Sequence, residues 1–219
     1  MLRVGLTGSI GVGKSFVSGL LAELGCQVLD ADLTAREVVA PGSPGLRAVA
    51  DAFGQEIIRG DGTLNRERLG ALAFAQEDKR VLLNSILHPY IISRQDEQMR
   101  EWEARDPKGI AVVDAALMIE SGVYKRFDKL IVVHCAAAEQ LRRLMIRNKL
   151  TRDLAEQRIH TQMPQEEKMK LADYLIDTSG GFEATRKRTE EVYEALLRES
   201  STSVSAIDDG GQPPFLILS

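Results

Sequence analysis

The chain has 219 residues, of which 44% are hydrophobic, which is enough for one sizeable core but not for two independent large domains. A formal net charge of -4, from 28 basic and 32 acidic residues, gives no reason to expect a nucleic-acid partner. The first apolar run breaks at Gly8 and is too short for a signal peptide or a membrane span. We therefore expect one cytoplasmic domain without membrane contact, as a monomer or weak homo-oligomer.

The chain has two cysteines, Cys26 and Cys135. Neither has a second cysteine or a histidine at the spacing of metal ligands, and the adjacent His134 points to the opposite face of a predicted strand. We interpret both cysteines as small apolar residues in a reducing compartment, and no zinc site is predicted.

Five apolar runs without alternation predict the strands of a mostly parallel, buried sheet: residues 4–7, 27–30, 110–114, 129–135 and 174–177. Helical spacing of apolar residues predicts helices at 14–24, 33–40, 139–147, 152–163 and 182–199. The block from 43 to 106 is predicted to be a helical insertion beside the sheet. This order of elements is typical of a three-layer α/β fold.

Two segments outside the predicted sheet are expected to form a lid and a tail. The charged helices at 139–147 and 152–163 emerge from the sheet, so we interpret residues 139–170 as a lid region. Residues 201–219 are rich in Ser, Gly, Asp and Pro and are expected to be a loose tail. The predicted domain therefore covers residues 1–200.

The strongest motif is a phosphate-binding loop. Residues 8–15 read Gly-Ser-Ile-Gly-Val-Gly-Lys-Ser, which matches G-x-x-x-x-G-K-[ST] between a predicted strand and a predicted helix. Glycines let backbone amides turn inward around an anion, and the helix N-terminus adds the positive end of its dipole. We expect Lys14 to neutralise the β- and γ-phosphate oxygens and the Ser15 hydroxyl to ligate magnesium. The predicted nucleotide contacts in this segment are Gly8, Gly11, Val12, Gly13, Lys14, Ser15 and Phe16.

Phosphate binding leaves several classes of protein open. A glycine turn that only connects a strand to a helix is the simplest alternative, although it does not require the Lys-Ser pair. A GTPase is expected to carry N-K-x-D, whereas residues 148–151 read Asn-Lys-Leu-Thr and lack the aspartate. The sequence therefore favours a kinase, and a nucleotide-binding regulator is the alternative outside enzymes.

Three aspartates are candidates for the chemistry. Asp30 and Asp32 follow the second predicted strand, whose carboxyl end opens onto the same crevice as the phosphate loop. Asp32, at the start of the predicted loop, is better placed to reach an acceptor, whereas Asp30 suits a helix cap; both acting only as caps is the alternative. Asp114 ends an apolar strand like a Walker B carboxylate, so we predict that it contacts magnesium.

Two arginines are candidates for a clamp on the triphosphate. Arg143 and Arg147 are four residues apart and share a helix face, where both guanidiniums can stabilise the charge that develops during transfer. The alternative is a solvated basic face beside Glu139 and Arg142.

Several motifs together resemble the dephospho-CoA kinase family. In chain order they are the phosphate loop with its preceding strand at 5–15, Asp-Ala-Asp at 30–32, Pro-Gly-Ser-Pro at 41–44, Leu-His-Pro at 87–89, Gln-Leu-Arg-Arg at 140–143, Arg147, Gln162 and Ala-Asp at 172–173. The Asp-Ala-Asp and Leu-His-Pro motifs are more discriminating than the phosphate loop, and the resemblance spans about residues 2 to 198. The chain departs from the family pattern at Phe16, Asn148 and Thr178.

The resemblance implies a P-loop kinase fold similar to nucleoside monophosphate kinases, with a helical insertion that receives the acceptor and a helical lid. It implies transfer of the γ-phosphoryl group of ATP, with Mg²⁺, to the ribose 3′-hydroxyl of dephospho-CoA, which is the last step of coenzyme A synthesis. It implies Asp32 as the catalytic base and lid roles for Arg143 and Arg147, so that Lys14 and Arg143 join Asp32 in catalysis. Another small-metabolite or nucleoside monophosphate kinase is the alternative among enzymes.

Overall fold

The computed structural model of the protein describes residues 1–208, without the side chains of residues 74, 75 and 202–208. Strands and α-helices alternate along much of this range. They are β1 (Leu2–Gly8), α1 (Lys14–Glu23), β2 (Gln27–Asp30), α2 (Ala31–Glu37), α3 (Pro44–Phe53), α4 (Arg66–Ala75), α5 (Glu77–Arg105), β3 (Ile110–Asp114), β4 (Lys129–His134), α6 (Ala137–Asn148), α7 (Arg152–His160), α8 (Gln165–Met169), β5 (Tyr174–Asp177) and α9 (Gly181–Asp208). Short 3-10 helices lie at Gln55–Ile57 and Val123–Arg126. No helix within residues 1–208 is long and apolar enough to cross a membrane.

The strands form one five-stranded sheet in the order β2-β3-β1-β4-β5. The pairs β1–β3, β1–β4 and β4–β5 are parallel, and every residue of β3 is buried. Parallel neighbours need crossover connections, which the helices supply, and burial on both faces explains the continuous apolar runs. The predicted α/β fold with a mostly parallel five-stranded sheet is confirmed.

The chain divides into two compact units, and the first consists of Met1–Val28 with the chain from Trp102 onward. Its core joins β1, β3 and β4 to α1 and α9 through fully buried residues such as Val4, Leu6, Val17, Ile131 and Leu196. Both cysteines are free and lie in this core, where burial raises the pKa of the Cys26 thiol to about 12.

The second unit, Leu29–Glu101, contains α2, α3, α4 and most of α5. It has a separate apolar core, centred on Val49 and Ile57, both of which are fully buried. Helix α3 begins where the sequence favours a start, because the Ser43 hydroxyl accepts from the Leu46 N–H at 3.2 Å and Pro44 follows the cap. A helical segment with an independent core agrees with the predicted helical character of this region.

Helix α2 begins earlier than predicted. Oδ1 of Asp30 accepts hydrogen bonds from the backbone N–H groups of Asp32 at 2.7 Å and Leu33 at 3.2 Å. Asp30 is therefore the N-cap, and Asp32 lies in the first helical turn. The predicted cap role of Asp30 is confirmed, whereas the prediction of a loop at Asp32 was wrong, because a helix capped by Asp30 starts at Ala31 and includes Asp32.

Helix α9 is longer than predicted. It continues to Asp208, whereas the sequence placed its end near residue 199 and a loose tail after it. Ser200 is buried on this helix, and its hydroxyl donates to the Lys108 carbonyl oxygen at 2.6 Å. Residues 209–219 of the expected tail lie outside the described residues.

Candidate active site

The phosphate loop connects β1 to α1 and presents open backbone donors. Gly11 and Gly13 have positive φ angles of 82° and 89°, which glycine adopts without strain. Within residues 1–208, the N–H groups of Gly11 and Gly13 have no hydrogen-bond acceptor, and no side chain caps the N-terminus of α1. Free N–H groups at the positive end of a helix form an anion-binding nest.

Two of the predicted nucleotide contacts also anchor the loop to the sheet. A Cβ atom on Gly8 would lie 2.6 Å from the Val133 carbonyl oxygen, so only glycine fits there. The Val12 side chain is fully buried in the first core, and its N–H donates to the Ser9 carbonyl oxygen at 3.4 Å. Between them, the Ser9 hydroxyl is buried without a hydrogen-bond partner in the described structure and is a further donor for a bound anion.

Lys14 and Asp114 form an ion pair through Nζ and Oδ1. Lys14 is the first residue of α1 and Asp114 the last of β3, and β1 pairs with β3 so that Leu6 lies opposite Asp114. The two side chains are only 18% and 9% exposed. The fold therefore brings the predicted phosphate ligand and the predicted magnesium ligand into contact.

The oxygen donors near the loop fit magnesium that arrives with a nucleotide. Among the described residues, no three His, Cys, Asp or Glu side chains are grouped so as to hold a metal ion. Magnesium in phosphoryl-transfer enzymes needs no such cage, because substrate phosphates and water supply most of its ligands and the protein adds one or two oxygens. The exposed Ser15 hydroxyl and the Asp114 carboxylate are donors of this kind.

Arg143 lies against the phosphate loop. Its Nη1 donates to Thr178 Oγ1 at 2.8 Å and to the Val12 carbonyl oxygen at 3.4 Å, and its Nη2 donates to the Thr178 carbonyl oxygen at 2.8 Å. Arg147, one turn further along α6, is exposed, and its Nε donates to Asn148 Oδ1 at 2.9 Å. Only Arg143 of the two predicted arginines therefore touches the loop.

Glu139 orients two guanidinium groups of α6. It accepts from Arg142 at 2.8 and 2.7 Å and from Arg143 Nε at 2.7 Å. Hydrogen bonds from Arg142, and then from Arg143, lower the pKa of Glu139 to about 2. Glu139 thus stays ionised near neutral pH and keeps both arginines in place.

A cavity of about 550 Å³ opens beside the loop. Its walls come from the loop and the start of α1, from α6, and from Thr178 and the start of α9. The large side chains that line it include Phe16, Arg142, Arg143, Ile146, Arg147 and Phe182. The predicted contacts Gly11, Gly13, Phe16, Arg143 and Arg147 therefore share one cavity.

Three glutamines that were not predicted as site residues hold the loop. The Ile10 N–H donates to Gln162 Oε1 at 2.7 Å, and Gln140 Nε2 donates to the Ile10 carbonyl oxygen at 2.8 Å. Gln165 Nε2 in turn donates to Gln140 Oε1 at 2.8 Å. Gln140 and Leu144 are four residues apart, share one face of α6 and are both buried. A polar residue on an otherwise apolar helix face is the sequence signal that could have predicted a role for Gln140.

Lys168, also unassigned from sequence, fixes the segment that follows Asp114. Its buried Nζ pairs with Glu120 Oε1 at 2.8 Å and donates to the Ala116 carbonyl oxygen at 2.9 Å. Thr7 Oγ1 donates to the same carbonyl at 3.1 Å. The chain around residues 162–168 therefore contacts both the phosphate loop and the segment after β3.

Asp32 belongs to the second unit, where its side chain is exposed in the first turn of α2. No hydrogen bond or ion pair to its carboxylate occurs in the described part of the chain, whereas Asp30 is committed to the cap. The role of Asp32 as the catalytic base stays a prediction.

Comparison with known proteins identifies the family. Residues 2–184 match the family model described as Dephospho-CoA kinase. The chain is 40% identical to the Dephospho-CoA kinase of Corynebacterium glutamicum over 90% of this chain and 98% of that protein, and 43% identical to that of Carboxydothermus hydrogenoformans over 84% and 89%.

Solved structures agree with the sequence comparisons. The dephospho-CoA kinase of Campylobacter jejuni superposes with a TM-score of 0.69 at 26% identity, covering 90% of this chain and 98% of that one. TT1252 from Thermus thermophilus superposes with a TM-score of 0.75 at 29% identity, covering 90% and 97%. The protein is an enzyme, a kinase, and the chain belongs to the dephospho-CoA kinase family.

Proposed function

We propose that the protein transfers the γ-phosphoryl group of ATP to the ribose 3′-hydroxyl of dephospho-CoA, giving coenzyme A and ADP in the last step of coenzyme A synthesis. Family membership supports the acceptor. The observation that carries the donor is the set of open N–H groups of Gly11 and Gly13 beside Lys14 at the start of α1.

In the proposed reaction the loop binds the β- and γ-phosphates. Lys14 and Arg143 stabilise the negative charge that spreads over the equatorial oxygens during transfer. Asp32 orients the acceptor hydroxyl and takes its proton. Mg²⁺, when bound, neutralises the phosphate oxygens, and Ser15 and Asp114 are the residues proposed to hold it.

We also propose roles for the larger segments of the 1–200 domain. Residues 43–106 receive the acceptor. This role is supported by the fact that most of them belong to a separate compact unit, Leu29–Glu101, which has its own core. Residues 139–170 act as a lid, which the contacts of Arg143, Gln140 and Gln162 with the loop support. The cytoplasm is the proposed compartment, in keeping with two free cysteines.

A coupled assay that measures ADP release with different acceptors tests the function. We expect turnover with dephospho-CoA and little with AMP, CMP or shikimate. ATP hydrolysis without an acceptor should be slow, because the catalytic groups are assembled only on closure and closure excludes water. Turnover with another acceptor alone would refute the substrate assignment. Nucleotide binding without transfer to any acceptor would point to a regulator.

A further inference from the structure

Phe182 is unusual because a large aromatic side chain is left in solvent beside the nucleotide loop. It is 75% exposed at the start of α9, and Ile146, on the α6 wall of the same cavity, is 66% exposed. Exposed apolar groups are common singly, but two of them facing one cavity form a surface that gains free energy when a flat apolar ligand covers it.

The Phe182 ring is positioned by Phe16. The two ring centroids are 5.0 Å apart with an interplanar angle of 72°, an edge-to-face contact. Such a contact occupies the face of one ring and the edge of the other, and the exposure of Phe182 shows that most of its ring stays open. Phe16 follows the Lys-Ser pair of the phosphate loop, so the aromatic pair lies directly next to the site of the phosphates.

The wall of the cavity formed by α6 carries planar cations. Arg142 and Arg147 on α6 both line it, and Glu139 holds the Arg142 guanidinium through two hydrogen bonds. Guanidinium planes and aromatic rings both stack on the π-face of a nucleobase. The cavity thus offers stacking partners from two elements, α6 and α9.

Three polar side chains of the cavity are already hydrogen-bonded within the protein. Glu139 accepts from Arg142 and Arg143, Thr178 Oγ1 donates to the Val12 carbonyl oxygen at 2.6 Å, and Thr185 Oγ1 donates to the Gly181 carbonyl oxygen at 2.7 Å. Their hydroxyl hydrogens and the carboxylate are committed to protein partners, so none of the three offers a free donor to the edge of a base. The other large side chains of the cavity are the Phe182 ring and the guanidiniums, which can stack on the face of a base.

We propose that Phe182, supported by Phe16, is the stacking platform for the nucleobase of the phosphoryl donor, and that the site recognises the base by its face, so that both adenine and guanine triphosphates are accepted. This inference rests on the proposed function, in which a nucleoside triphosphate occupies the phosphate loop.

Calorimetric titration of Phe182→Ala with ATP, GTP and inorganic tripolyphosphate tests the platform. Tripolyphosphate has no base, so we expect its dissociation constant to stay within about twofold of wild type while that for ATP and GTP rises roughly tenfold or more. Phe182→Trp should keep nucleotide affinity and show fluorescence quenching on addition of ATP but not of tripolyphosphate. Leu197→Ala, an exposed apolar change 15 positions further along α9, should alter nothing.

Three results would overturn the inference. They are unchanged ATP affinity in Phe182→Ala, an equal loss of ATP and tripolyphosphate affinity, and a wild-type kcat/KM for GTP lower than that for ATP by about a hundredfold or more, which would require edge recognition. Failure of wild type to phosphorylate dephospho-CoA would instead refute the proposed acceptor, because the binding titrations need no acceptor.

Discussion

The Thr178 hydroxyl donates a 2.6 Å hydrogen bond to the Val12 carbonyl oxygen across 166 positions of sequence. The same hydroxyl accepts from Arg143 at 2.8 Å, so the end of β5, helix α6 and the phosphate loop meet at one buried side chain. Thr178 therefore couples the position of a predicted catalytic arginine to the shape of the loop.

Thr178→Val keeps the shape of the side chain but removes this hydroxyl. We expect the free energy of unfolding to fall by about 1–2 kcal/mol and the KM for ATP to rise about fivefold, because Arg143 and the loop lose a shared partner. Chemical denaturation and steady-state kinetics measure the two effects. Thr178→Ser restores the hydroxyl and should recover most of the affinity; a serine variant as weak as the valine variant would show that packing is responsible.

The contacts of Thr178 could not be predicted from the sequence, in contrast to the strands and the phosphate loop. The five strands follow from continuous apolar runs, and the loop follows from a local motif, so both were predictable. Thr178 was noted only as a departure from a family pattern. Its contacts with Val12 and Arg143 depend on strand order in the sheet, which local sequence does not encode.

Helix boundaries show a second limit, which is set by competing local rules. Asp30 is the N-cap, as predicted, but the helix starts at Ala31 and not at residue 33, so Asp32 lies inside it. Pro89 is a helix breaker by local rules, yet α5 continues through it to Arg105. In each case context that is not contained in the local residues decides the outcome.

Separate variants of Lys14 and Asp114 should distinguish their roles. In the proposed function Lys14 binds phosphate and Asp114 binds magnesium, which requires their ion pair to open. We expect Lys14→Met to lower kcat by about a hundredfold or more at every Mg²⁺ concentration, because a donor to the transferred group is lost. Asp114→Asn should instead raise the Mg²⁺ concentration for half-maximal turnover by about tenfold, with recovery at high Mg²⁺. An unchanged Mg²⁺ curve would remove Asp114 from the metal site.

Asp32→Asn tests the proposed base. It should lower turnover by about a hundredfold or more while ATP affinity stays near that of wild type, since an amide cannot take a proton. Near-normal turnover would exclude Asp32 from the proton transfer.

The matched control is the neighbouring Asp30, which caps α2. Asp30→Ala removes two side-chain hydrogen bonds to backbone N–H groups and should lower the free energy of unfolding by about 1 kcal/mol. Asp32→Asn should leave the denaturation midpoint almost unchanged. A loss of stability in Asp30→Ala together with a loss of turnover in Asp32→Asn would show that Asp30 acts as a cap and Asp32 as a base.

The raised pKa of Tyr174 predicts a loss of protein stability at high pH. Its hydroxyl donates to Glu199 Oε1 at 2.6 Å, and this hydrogen bond, with burial and the Glu199 charge, raises the pKa of Tyr174 to about 12. Because the ordinary pKa of tyrosine is about 10, the unfolded chain releases the proton first. The contribution is therefore complete below about pH 10 and is lost as pH rises towards 12.

Urea denaturation at a series of pH values between 8 and 12 should show this loss in wild type, and Tyr174→Phe should show a flatter dependence from a lower starting stability. The phenolate absorbance of wild type should contain a late transition that the variant lacks. Equal slopes in the two proteins would show that Tyr174 does not carry the effect.

Gln162 should control how well the empty phosphate loop is formed. Gln162 and Gln140 together satisfy both backbone groups of Ile10, so the loop keeps its shape before a nucleotide arrives. Gln162→Met removes the acceptor of the Ile10 N–H at similar side-chain length, and we expect the KM for ATP to rise about fivefold with a smaller change in kcat. Gln162→Glu retains an acceptor oxygen and should restore the KM. Gln157→Met, an exposed change on the preceding helix α7, should be neutral; if it were as harmful as Gln162→Met, the effect would not come from the contact with Ile10.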